Sequence, residues 1–227
     1  MTVTACGLTV DWFGYATVRL ATAAGDGPTV GDGPTVGDGS PGEDGPVVYF
    51  DPGRYGVLTG EWTPDTPGVA HPPPRDCRPH DGDLVLVTHV HHYDPDGIRR
   101  VAGPDATLVV PKGMDLGGTD RTDERPVDLG LDVVELDCED ETLLADVPIW
   151  TVHAYNEPDG PRTRPDGSPI HPKGRGVGYL LAIDGTRVFW TGDTDVLEGH
   201  AELDVDLLLP PIGGSFTMDR TEAAGLA

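Results

Sequence analysis

Leu84-Val85-Leu86-Val87-Thr88-His89-Val90-His91-His92-Tyr93-Asp94-Pro95-Asp96-Gly97 is the stretch that decides the reading of this chain. Four consecutive apolar residues read as a short buried strand. Directly after them come His89 and His91, two positions apart. On an extended segment such residues point to one side, so the pair can chelate a single ion, and the same alternation sends His92 elsewhere. An isolated His-X-His pair is ordinarily a satisfied polar pair at a strand end. Placed after a Val-Leu-Val-Thr strand and before Asp94 and a Pro-Asp-Gly turn, it reads as a metal site.

Working outward, Val188 to Asp195 (VFWTGDTD) repeats the logic: an apolar strand ends at Thr191-Gly192-Asp193. Glycine lets the backbone turn sharply, and a carboxylate there can bridge two cations. The competing reading is a turn or helix cap made by Asp193 or Asp195. Further strands are expected at 2–10, 15–21, 47–50, 84–88, 107–110, 131–136, 147–152, 177–183, 187–190 and 205–209, with a hairpin at Asp184-Gly185. Helices are scarce: one starts near Asp94 to Asp96 and runs through Ile98-Arg99-Arg100-Val101-Ala102, and a second opens at Asp219 with Glu222 completing a capping box. Mostly strands with short helices suggest stacked sheets with helices outside. We read a single domain over 1–227, with a low-complexity Gly/Asp/Pro insertion at 25–46 and an irregular loop at 61–83. The repeat GDGPTVGDGPTVGDGS at 25–40 reads as a lengthened hairpin tip, with a calcium-binding repeat as the alternative.

The 227 residues carry 39 acidic and 15 basic side chains, a net charge of -24, with Lys112 and Lys173 the only lysines. Such a surface repels nucleic acid and anionic membranes, so neither is expected as a partner. The acids are scattered through the chain instead of forming a tail, which reads as salt adaptation in a high-salt cytoplasm. No apolar run reaches the 18 residues of a membrane span, and the N-terminus lacks a signal pattern. Cys6, Cys77 and Cys138 are odd in number and widely spaced, which argues against a disulfide or zinc framework.

Taken in order, Thr88-His89-Val90-His91, Ala154-Tyr155-Asn156, the His171-Pro172-Lys173-Gly174 to Tyr179 segment, the Thr191 to Asp195 turn and the final Pro-X-Gly-Gly-X-X-Thr-Met resemble the metallo-β-lactamase fold hydrolases. The branch most similar is that of the ascorbate-6-phosphate lactonases. The resemblance implies an α+β, four-layer αββα sandwich whose strand-end loops hold one or two divalent ions, with zinc favoured and manganese or iron as alternatives. It assigns His89 and His91 to the first ion and Asp193 to the bridging position. Where the family's motif has its aspartate and last histidine, this chain has Tyr93 and Asp94, so Asp94 is the candidate to hold a second ion or accept the water's proton. The third histidine of the first site is His153 or His171, with His153 the preferred choice. The family also carries a later histidine beyond the last residue here, so the sequence reads as truncated at its C-terminus.

Around these, Asp51 is a candidate support for a metal-bound histidine. Tyr155 and Asn156 are candidates to polarise a substrate oxygen, and Lys173 and Arg175 to receive a phosphate or carboxylate. The function implied is hydrolysis of an ester, lactone or phosphoester on a small-molecule substrate by metal-activated water. Two other classes are kept: an inactive metal-binding relative with an incomplete site, and a metal-dependent phosphodiesterase or nuclease, which the net charge disfavours.

Overall fold

A computed structural model describes residues 1–23, 45–63, 71–119 and 121–227. Seven strands form one sheet in chain order: β1 (Thr2–Ala5), β2 (Leu8–Gly14), β3 (Thr17–Thr22), β4 (Val48–Phe50), β5 (Gly82–Leu86), β6 (Ala102–Pro111) and β7 (Asp132–Leu136). The pairings are antiparallel from β1 to β4 and parallel from β4 to β7. A second sheet contains β8 (Glu141–Leu144), β9 (Val147–His153), β10 (Val177–Ile183), β11 (Thr186–Trp190) and β12 (Leu207–Leu209), ordered β12-β11-β10-β9-β8.

Alternation along the strands decides how the sheets stack. Leu84 and Leu86 of β5 join Leu8, Leu20 and Phe50 against Ile149, Tyr179, Leu181 and Val188 of the second sheet, closing the core between the two. The other parity, Val85 of β5 and Val87 just after it, packs on the outer side with Leu108, Val110 and the helix α1 (Pro95–Val101), through Ile98 and Val101. Both faces of β5 are therefore buried, which is why its sequence is continuously apolar. On the far side of the second sheet, Phe189 meets His200 of the 3₁₀ turn Glu198–Glu202, ring centroids 5.3 Å apart. A second helix, α2 (Arg220–Leu226), starts at Asp219 with the expected capping box. The architecture is the expected α+β sandwich of two stacked sheets with few helices.

Two local expectations need correction. The single strand expected at 2–10 is a hairpin, because Cys6 (φ 50) and Gly7 (φ 77) form a left-handed two-residue turn between β1 and β2. The strand β8 was not expected; it pairs with β9 through a turn at Ala145 (φ 46) and Asp146 (φ 60), with Leu144 half-buried and Leu143 exposed. Residues 25–44 of the low-complexity insertion lie outside the described residues. Among the described residues, no helix is long and apolar enough to cross a membrane.

Candidate metal centre

The loops that follow β5 and β11 and the loop between β9 and β10, at one end of the sandwich, bring the histidines together. His89 is still extended (φ -168), but Val90 to His92 close a 3₁₀ turn, with His92 N donating to His89 O. A strand's two-residue alternation no longer applies beyond His89. His92 therefore swings back toward His89, their ring centroids 4.4 Å apart, correcting the expectation that it points elsewhere. Opposite them, Gly192 turns with φ +66 so that Asp193 reaches the same point; a Cβ on Gly192 would lie 2.9 Å from Val177 O. Gly176 is required for a similar reason: it bridges His89, and a Cβ there would lie 2.9 Å from the His89 Cβ.

Three imidazoles converge on one carboxylate oxygen. Asp193 Oδ2 lies 3.6 Å from His89 Nε2, 3.8 Å from His92 Nε2 and 3.5 Å from His171 Nε2. These distances exceed a hydrogen bond. Ligand atoms sharing a tetrahedral zinc with bonds of ~2.1 Å stand roughly 3.4 Å apart, close to what is seen. Moreover, His89 Nε2 and His92 Nε2 are buried with no hydrogen-bond partner. A bare buried ring nitrogen is costly unless something binds it, so the donor set fits a metal ion. Among the described residues, two groupings of side chains can hold one: His89 with His91 and His171, and His89 with His92 and Asp193.

A buried carboxylate organises this cluster from behind. Asp51 is 0% exposed and accepts from Thr88 N (2.8 Å), Thr88 Oγ1 (2.9 Å) and Trp190 Nε1 (2.9 Å), with His92 Nδ1 also 2.9 Å away. The Thr88 hydroxyl has one proton, which goes to Asp51, and so it accepts from His89 Nδ1–H at 3.0 Å. His89 and His92 are thereby left with Nε2 free to face Asp193.

Electrostatics follow the same plan. Burial, followed by the neighbouring histidines His92, His171 and His91, holds His89 well below the ordinary imidazole range. Burial also lowers His91, with His171 and Arg54 adding to the effect, and it lowers His171 against the pull of Asp193. For His92 burial acts downward too, but Asp51 and Asp193 together outweigh it and the net shift is upward.

The remaining candidate residues are placed as follows. Asp94 is the N-cap of α1, its Oδ1 accepting from Gly97 N at 2.9 Å, and it belongs to neither histidine grouping. Tyr93, in the family's aspartate position, is 3% exposed, packed in the outer core with its hydroxyl donating to Glu124 O. His153, preferred over His171 from sequence, shares the parity of Ile149 and Thr151 on β9. That parity turns its ring to Cys138, Nδ1 to Sγ 2.9 Å, and away from the cluster that His171 joins. Tyr155 lies under Lys173, 5.3 Å from ring centroid to Nζ, and neither lines the cavity over the histidines. Asn156 is 0% exposed and its amide is engaged by protein groups, so it is not accessible to polarise a substrate oxygen. Arg175 does line that cavity, of about 270 Å³, together with Lys112, Asp115 and Arg164.

Sequence reading passed over two groups. One is His92, whose signal was the third histidine in a run. The other is Tyr15, in the β2–β3 turn with φ 48, its ring edge-on to His92 at 5.5 Å and to Tyr55 at 4.9 Å. A bulky residue in the left-handed region is uncommon, and here it occupies a tight turn between two strands.

Known proteins resemble this chain in sequence and in fold. The family model described as the beta-lactamase superfamily domain matches residues 41–227. A UPF0173 metal-dependent hydrolase of Pyrococcus furiosus is 31% identical over 148 residues, covering 63% of this chain and 59% of that protein. The corresponding protein of Pyrococcus horikoshii is 30% identical over 159 residues, covering 66% of this chain and 62% of its own length. The chain thus spans about six-tenths of the length of these relatives. Among solved structures, that of a candidate metal-dependent hydrolase from Parabacteroides distasonis superposes with a TM-score of 0.62 at 21% identity, covering 100% of this chain and 81% of that one.

Proposed function

The chain belongs to the beta-lactamase superfamily, and on that premise we propose that it is a metal-dependent hydrolase whose centre is built from His89, His91, His92, His171 and Asp193. The observation that carries the reading is the convergence of three Nε2 atoms on Asp193 Oδ2, two of them buried and unpartnered. His89 Nε2 can serve only one ion; were two bound, His89, His91 and His171 would hold one, and His92 and Asp193 would be available to the other. The nitrogen-rich set suits zinc, and the carboxylate keeps manganese and iron in play. When bound, a divalent ion supplies a Lewis acid that acidifies water and polarises a carbonyl or phosphoryl oxygen.

The protein's own residues do the rest. Asp51 and Thr88 hold His89 and His92 in place, so the ligand atoms are oriented before any ion arrives. The cavity over His91 and His171 admits a small substrate, and Lys112, Arg164 and Arg175 bring positive charge to its wall in a chain with few cations. Tyr15 places a phenol on the His92 side. An ester, lactone or phosphoester is the substrate class we propose.

The test is a hydrolysis screen of lactones, carboxylic esters and phosphoesters with the zinc- or manganese-loaded protein, run beside His89→Ala. Turnover lost in the variant supports the reading. A loaded protein that hydrolyses none of the three classes, or a variant as active as the parent, refutes it.

A further inference from the structure

His171 is held by a hydrogen-bond network separate from the one behind His89 and His92, and the donor and acceptor roles in it can be worked out. Asn156 N donates to His171 O at 2.8 Å, and Asn156 Oδ1 lies 2.8 Å from His171 N and 3.1 Å from His171 Nδ1. The other end of the amide, Nδ2, faces Asp195 Oδ1 at 3.1 Å and Phe216 O at 3.0 Å. A carboxylate and a carbonyl only accept, and a backbone N–H only donates. Rotating the amide by half a turn would set donor against donor at His171 N and acceptor against acceptor at Asp195 and Phe216. The orientation of Asn156 is therefore determined by its partners, although an amide's oxygen and nitrogen look alike by shape.

Asp195 is itself pinned. It is 5% exposed and receives Arg162 Nη1 at 2.9 Å and Glu157 N at 2.9 Å. Arg162, 6% exposed, also pairs with Glu222 of α2. The ring of His171 then has no freedom: its Nδ1 faces Asn156 Oδ1 at 3.1 Å and Phe216 O at 3.2 Å, both acceptors, so Nδ1 must carry the proton.

Resting on the metal reading above, we propose that Asn156 is a positioning residue: with its amide locked by Asp195 and Arg162, it holds His171 as the Nδ1–H tautomer and commits Nε2 to the ion beside Asp193. The chain Glu222, Arg162, Asp195, Asn156, His171 then ties α2 to a metal ligand. Groups that orient a ligating histidine characteristically change metal affinity by about 10- to 100-fold.

The test uses the full chain labelled with ¹⁵N at histidine. Ring-nitrogen shifts of His171, assigned by comparison with His171→Gln, are read in metal-free protein above the imidazole range, and zinc affinity is then measured by competition titration. Two variants accompany the parent: Asn156→Leu, which removes the side-chain acceptor and leaves Nδ1 only Phe216 O, and Asp195→Asn, which keeps the volume but lets residue 156 face a partner able to donate. The parent should show the Nδ1–H pattern, and both variants should show a mixed or reversed pattern with zinc bound ~10- to 100-fold more weakly. An Nε2–H pattern in the parent overturns the proposal, as do variants that keep both the parent's pattern and its zinc affinity. A parent with the Nδ1–H pattern that binds no zinc overturns the metal reading and, with it, the role assigned to Nε2.

Discussion

The carboxylate of Asp51 and the ring of His92 lie 2.9 Å apart with side chains 0% and 2% exposed, although 41 positions of sequence separate them. The left-handed turn at Asp51 (φ 44), just after β4, points its carboxylate under the loop that follows β5. Asp51→Ala would strand Thr88 N, Trp190 Nε1 and His92 Nδ1 in the interior. We expect it to cost about 3–5 kcal/mol, as when one partner of a buried polar cluster is removed. Asp51→Asn, which tolerates the same backbone, should fold but bind zinc ~10- to 100-fold more weakly. Urea unfolding and a zinc titration check both, and unchanged affinity in the Asn variant would count against the supporting role.

Metal content separates the two histidines that sequence left open. Mass spectrometry of protein purified in high salt should find about one or two ions per chain, lost in His89→Ala and Asp193→Ala. His171→Ala should lower the content, and His153→Ala should leave it unchanged because that ring is engaged with Cys138. Loss in His153→Ala with retention in His171→Ala would reverse the assignment.

Restoring the family's aspartate should not build a better site. Tyr93 is enclosed in the outer core and bonded to Glu124 O, so Tyr93→Asp would bury a carboxylate among apolar side chains. The expected result is a loss of several kcal/mol in stability with no gain in bound metal. A Tyr93→Asp variant that binds an additional ion at full stability would contradict this.

Stability should fall with acid partly through His200. This side chain is 4% exposed, donates from Nε2 to His153 O and accepts Leu197 N at Nδ1, the pattern of a neutral ring. Burial lowers its pKa, opposed by that bond to His153 O, while the neighbouring His153 adds to the lowering. Unfolded, the imidazole takes a proton near pH 6.5, so below that point the unfolded chain binds more protons than the folded one. The neutral ring's contribution is thus fully present above ~6.5 and is lost as pH falls toward the folded value. Denaturant midpoints from pH 5 to 8 should decline more steeply on the acid side for the parent than for His200→Gln; parallel curves would exclude the effect.

Much of the architecture was legible because it depends on local pattern. The unbroken Leu84 to Val87 run required a strand buried on both faces, and Asp219 with Glu222 marked the start of α2. β8 carries little periodic signal because Leu143 is exposed and Leu144 only half-buried. Asn156 was read as a substrate contact, since nothing in Ala154-Tyr155-Asn156 shows that Asp195 and Phe216 enclose it.

The sequence by itself determined the kind of chemistry: a strand ending in clustered histidines and another ending in Thr191-Gly192-Asp193 supply nitrogen and carboxylate donors at loop positions. Tertiary structure alone decided which donors meet. His92 joined the cluster because a 3₁₀ turn replaced the strand's alternation after His89. Asp94 was taken up in capping α1, and His171, not His153, reached Asp193 because the β9 register turned His153 to Cys138. Spacing along a chain limits where a side chain can point. The position of its partner depends on how separate sheets and loops pack, and no local pattern encodes that.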